Sequence, residues 1–204
     1  NANGFKLVFN LSYGKQAGPK DGSMAFEKAC QNIQTARTDA GKSAVYFVLP
    51  AGNDNLERCH AQAVLGTPAL SPQAEQEVTF NWRMMPDDKT SNFVEIWSSP
   101  ILTDGSGGPL IEPVLTLCDP SGQRHRFEGT AHKPLVKLTA TTWLYYNRYS
   151  VEVDGVEHLR LRYIICTRPT LSYQPLTVET AGLWAITIEY MGAASEFSLH
   201  VQSD

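Results

Sequence analysis

Ser106 stands in the run Asp104-Gly-Ser-Gly-Gly-Pro-Leu110. A serine is a useful nucleophile only where a base takes its proton and a third group orients that base. The nearest upstream histidine, His60, follows Cys59 without the small-residue surroundings such a base needs, so the run reads as a flexible glycine loop and Ser106 as non-catalytic. His60, His125, His132, His158 and His200 show neither HExxH nor a pairing with CxxC, and they read as surface or hydrogen-bonded histidines rather than zinc ligands. Asp87, Asp88 and Asp119 are the carboxylates a structural calcium would use; no EF-hand-like array surrounds them, and solvated turn residues are expected, with no cofactor. Cys30, Cys59, Cys118 and Cys166 fit neither a disulfide-dense miniprotein nor a zinc site, so buried thiols are expected first and one or two disulfides second. Trp143, Tyr145, Tyr146 and Tyr149 would suit a sugar-stacking platform, but alternating aromatics in β proteins usually face a core.

The elements that must position these residues fall into two regions. Phe5 to Leu11 is an almost continuous apolar run, as in a parallel strand covered on both faces. Asp21-Gly-Ser23 offers N-cap side chains, and Phe26, Ala29, Cys30, Ile33, Ala36 and Ala40 recur at helical spacing until Gly41. Ala44 to Leu49 is a second apolar β run. This is a βαβ crossover whose sheet looks incomplete. After the turn-rich stretch Gly66-Thr-Pro-Ala-Leu-Ser-Pro72 the helical period gives way to alternation, as in Val78, Phe80, Trp82 and Met84. Similar runs follow at Phe93–Trp97, Val114–Cys118, Leu135–Leu138, Val151–Val153, Leu159–Ile165, Leu183–Tyr190 and Phe197–Val201, with hairpin turns at Asp119-Pro-Ser-Gly122 and Asp154-Gly155. The expected fold class is therefore an α/β fragment over residues 3–70 followed by an all-β antiparallel sandwich over 75–204, with a jelly roll as the expected topology.

The chain has 204 residues, enough for one large domain or two small ones. Seventeen basic against 21 acidic residues give net charge −4, which argues against a nucleic-acid or anionic-lipid surface. No apolar run approaches the roughly 18 residues of a membrane span. Asn1-Ala2 reads as the remnant of a cleaved tag, and the abrupt start in a strand reads as an excerpt of a longer protein.

Three motifs of the first region, in order, resemble the subtilisin-like serine proteases. Asn10-Leu-Ser-Tyr-Gly14 is similar to the strand end that lies along the substrate in that family; the amphipathic helix follows; and Val45-Tyr-Phe-Val-Leu-Pro-Ala-Gly-Asn53 is similar to its buried strand ending in A-G-N. The resemblance implies that Asn53 stabilises the oxyanion and that Ser12, Tyr13, Gly14, Pro50, Ala51 and Gly52 line the substrate site. Acyl transfer develops negative charge on a carbonyl oxygen, which a fixed amide N–H stabilises more than it does the ground state. Pro50 departs from the small residue usual there. The resemblance covers roughly residues 3–65.

The family's Asp and His motifs and its G-T-S-x-A-x-P serine motif are absent from this sequence. In Csp-type subtilases a jelly-roll domain is inserted between the oxyanion Asn and the nucleophilic Ser, and the order here is similar. The resemblance thus implies part of a serine endopeptidase, itself inactive, whose partners are a peptide or protein substrate and the rest of the protease domain. It also suggests a secreted or cell-envelope protein, and the unfinished sheet suggests self-association. The alternative is a non-catalytic sandwich that binds glycan or protein. Asp104–Leu110 also nearly spells the G-D-S-G-G-P-L of chymotrypsin-like proteases, but transposing its first two residues removes the residue directly before the nucleophile.

Overall fold

Alternation of apolar and polar residues, continued strand after strand, yields two antiparallel sheets that share one core. The computed structural model describes residues 4–12, 18–50, 59–67, 75–102, 111–128 and 135–203. They divide into two compact units, residues 1–59 and 60–204.

The first unit holds β1 (Leu7–Asn10), α1 (Ala25–Asp39) and β2 (Val45–Val48). β1 and β2 pair in parallel, Leu7 opposite Val45 and Asn10 opposite Val48. Helix α1 starts at Met24, whose backbone N–H donates to the Glu27 carboxylate at 3.1 Å, not at the Asp21–Ser23 side chains expected as its cap. Asp21 instead accepts from the Ser23 N–H in a tight turn. No residue of α1 is buried.

The second unit holds β3 (His60–Leu65), β4 (Glu77–Met84), β5 (Asn92–Ser98), β6 (Ile101–Leu102), β7 (Val114–Cys118), β8 (Arg124–Glu128), β9 (Leu135–Lys137), β10 (Thr142–Val153), β11 (Val156–Thr167), β12 (Gly182–Glu189) and β13 (Ser195–Ser203). One sheet runs β3-β13-β5-β11-β10-β9, with β6 also on β11; the other runs β4-β12-β7-β8. Trp82, Met84, Leu117, Trp184 and Ile186 of the smaller sheet pack with Val94, Ile96, Leu144, Tyr163 and Phe197 of the larger one. At the β10–β11 hairpin Asp154 and Gly155 have φ of 51° and 75°, the paired positive values that a two-residue turn between twisted strands requires. Gly66 ends β3 at φ 153°, where a Cβ would lie 2.7 Å from the Ala194 backbone.

The expected fold class needs correction. The described residues are mainly β, in antiparallel sheets, with one helix, and the first unit does not form an α/β layer. Its sheet has two strands of four residues, and a helix that buries nothing cannot serve as the covering layer of an α/β fold. β3 pairs with β13 from Leu65–Ser195 to His60–His200, which puts residues 60–65 in the larger sheet of the second unit.

Candidate functional site

Parallel pairing places the carboxyl ends of β1 and β2 side by side, and both implied site segments leave from that end. The Leu11 N–H donates to the Val48 carbonyl at 3.0 Å, extending the pairing one residue past the register. Ser12 is exposed, and its hydroxyl accepts from the Asn10 side-chain amide at 3.4 Å. Pro50 is exposed. Tyr13, Gly14, Ala51, Gly52 and Asn53 lie outside the described residues, so the structure brings together the two strands that lead to them and nothing finer. From α1, the Gln34 side-chain amide donates to the Val45 carbonyl at 3.3 Å and Arg37 Nε to the Ser43 carbonyl at 2.9 Å, anchoring the helix to the start of β2.

Chemistry-bearing residues of the sandwich are mostly engaged in structure. His125 lies 3.8 Å from Asp119, which accepts from Ser121 and Gln123 in the β7–β8 turn. Burial pushes the Asp119 carboxyl up, but these hydrogen bonds and His125 outweigh it and hold it low. Asp88 is treated the same way: burial raises it, while donation from the Thr90 N–H and hydroxyl and the Asn92 amide leaves it lowered. His158 bonds the Val156 carbonyl. Tyr146 faces the core, whereas Trp143, Tyr145 and Tyr149 stand half-buried on the opposite face of β10. Ser106 and His132 lie outside the described residues. Cys30 and Cys118 are half-buried free thiols, and Cys59 and Cys166 are half-buried as well. Among the described residues no group of three or more His, Cys, Asp or Glu is placed to hold a metal ion, and no helix is long and apolar enough to cross a membrane.

Two buried polar clusters escape sequence reasoning. Glu95, 9 % exposed, accepts from Arg162 Nη2 at 2.6 Å and Trp97 Nε1 at 3.0 Å, while the Arg162 guanidinium lies 4.7 Å from the Trp97 ring centre. Glu179 accepts from the Thr141 and Thr142 hydroxyls on one carboxylate oxygen and from the Thr180 N–H on the other. The signal for the first was the charge inside Phe93-Val-Glu-Ile-Trp97, an otherwise apolar strand. Glu179 sits in an irregular segment and offers no such signal.

No family model and no curated protein matches the chain. The fold is similar to the structure of the Clostridium perfringens CspB protease, with a TM-score of 0.63 and 16% identity over 96% of this chain and 34% of that one. The chain thus spans about a third of that protease's length.

Proposed function

We propose that this chain is the middle portion of a subtilisin-like serine endopeptidase, carrying the substrate strand and the oxyanion asparagine but not the triad. The observation that carries the reading is the parallel pairing of Asn10 with Val48, from which the chain continues into Ser12–Gly14 and Pro50–Asn53 at the same end of the two strands. The likeness to a protease fold across both units supports it. In the complete enzyme a serine would attack the peptide carbonyl with histidine as its base, and the Asn53 amide would donate to the developing oxyanion. Ser12, Tyr13 and Gly14 would lie along one side of the peptide, with Pro50, Ala51 and Gly52 on the other.

Loss of one oxyanion donor costs on the order of 10²- to 10³-fold in kcat. Asn53→Ala, made in a protein joining this chain to the triad segments, is expected to lower kcat by about that factor with KM nearly unchanged. An unchanged kcat removes Asn53 from the mechanism. The 204-residue chain alone is expected not to react with a fluorophosphonate probe; stoichiometric labelling would return Ser106 to consideration.

A further inference from the structure

β1 and β2 pair through alternate residues of each strand. The Leu7 N–H donates to the Ala44 carbonyl at 3.2 Å and the Leu11 N–H to the Val48 carbonyl at 3.0 Å, so Leu7 and Phe9 turn their main chain toward β2 while Val8 and Asn10 turn theirs away. By the same alternation Val45 and Phe47 carry the outward main chain of β2. Among the described residues no other strand pairs with either one. We propose that β1 offers its outer edge to β1 of a second copy of this chain, giving an antiparallel sheet in the order β2-β1-β1-β2 and a dimer that closes at two copies.

The two outer edges differ. At the start of β2, helix α1 already takes the outward main chain: the Gln34 side-chain amide donates to the Val45 carbonyl at 3.3 Å, and Arg37 Nε donates to the Ser43 carbonyl at 2.9 Å. β1 has no such cover, and its residues Leu7 to Asn10 are all exposed, Val8 at 65 %. Folded proteins guard such edges with proline, bulges or charged side chains. From Leu7 to Leu11 β1 carries no proline, no glycine and no charge, and its pairing with β2 is regular throughout.

A second copy fits this edge on three counts. Two strands of four residues make a marginal sheet, and two more strands supply what it lacks. An uncharged apolar edge calls for an equally uncharged strand, and β1 is one. With the pairing centred on Val8, Lys6 lies opposite Asn10 of the second copy, so the single flanking cation meets a neutral side chain and not another lysine. Because one edge serves both copies, the contact is two-fold and uses itself up in a single pairing. Its ladder is short, below the roughly 1,200 Å² of a standard interface, so the dimer is weak and concentration-dependent.

Residue-resolved hydrogen exchange and sedimentation equilibrium on the whole chain test the pairing. With rising concentration the mass is expected to level off at two chains, and protection of the Val8 and Asn10 amides to rise about tenfold or more while that of Phe47 stays constant. Val8→Pro removes an outward N–H without touching the Leu7 and Leu11 donors, and it should weaken the dimer at least about tenfold. Val8→Thr keeps the N–H and the side-chain shape and should stay within about threefold of the original protein. A mass that climbs past two chains, equal protection of Phe47, or Val8 and Asn10 amides that ignore concentration would each overturn the proposal, as would a V8P protein that dimerises like the original.

Discussion

The backbone N–H of Leu11 donates to the carbonyl oxygen of Val48 across the ends of two strands that expose most of their side chains. Phe5 is 69 % exposed and Val8 65 %, and Phe9, Tyr46, Val48 and Leu49 are each nearly half exposed. Parallel strands this apolar normally lie between covering layers. Bare apolar surface and two open strand edges drive association. Light scattering of the chain is therefore expected to show a mass that rises with concentration, and Val8→Lys with Tyr46→Lys should restore the monomer. A concentration-independent monomer for the unsubstituted chain would contradict this.

Core packing leads to a contrast between two aromatic residues. Trp184 is fully buried, tilted against Trp82 with ring centres 6.2 Å apart, so Trp184→Ala should cost about 3–5 kcal/mol through lost contacts and a cavity. Tyr163 is equally buried, but its hydroxyl has no hydrogen-bond partner among the described residues. Burial, reinforced by Tyr146, Glu112 and Tyr190, pushes that phenol well above the ordinary tyrosine range, so it stays neutral. Deleting an unpartnered buried hydroxyl removes a desolvation penalty rather than a bond. Tyr163→Phe should change stability by less than about 0.5 kcal/mol in urea titration; a loss beyond about 1 kcal/mol would mean that the hydroxyl is bonded.

Asp88 ties the β4–β5 loop to the segment after β11. Its carboxylate accepts from Thr90 and Asn92, its N–H donates to the Thr170 hydroxyl at 3.1 Å, and its carbonyl accepts from the Leu171 N–H at 2.8 Å. Because the folded carboxyl is lowered, its contribution is present above the unfolded value near 3.9 and is lost as pH falls through the folded one. Discounted for partial exposure, Asp88→Asn should destabilise the protein by about 1 kcal/mol at neutral pH. Thermal melts should show the gap between D88N and the original protein closing below about pH 4. A gap that persists at acid pH would assign the effect to side-chain shape, not charge.

The strands of the sandwich were legible where apolar and polar residues alternate strongly. Trp82 and Met84 point inward with Val78 and Phe80 beside them, and Asp119–Gly122 and Asp154–Gly155 are both hairpin turns, the second joining the two strands read on either side of it. β3 was not legible because His60-Ala-Gln-Ala-Val-Leu65 carries little apolar bulk and becomes a strand only by pairing with β13. β8 has one core residue, Phe127, among charged ones. The α/β class was misread for a related reason: local period identified two strands and a helix, but class depends on how much they bury, and only tertiary contacts decide that. For the candidate site, adjacency of the β1 and β2 ends is visible, while the positions of Tyr13, Gly14 and Ala51–Asn53 lie outside the described residues.

The final prediction concerns which unit folds alone. Among the described buried hydrophobic residues Val45 is the one in residues 1–59; all the others, from Leu65 to Leu199, belong to the sandwich. Ordering a residue costs about 1–2 kcal/mol of chain entropy, and apolar burial must offset it. Residues 60–204, with inward faces from two sheets closing on Trp184, Tyr163 and Phe197, bury enough to do so. Residues 1–59 offer two short strands and a helix with no buried residue, which falls well short. Expressed separately, 60–204 should melt cooperatively and 1–59 should show no transition by circular dichroism. The cut must fall before His60, because beginning at residue 75 deletes β3 and strips β13 of its edge partner. A fragment starting at 75 should therefore melt lower than one starting at 60. Equal melting temperatures for these two fragments, or a cooperative transition in 1–59, would show that the units do not divide between Cys59 and His60.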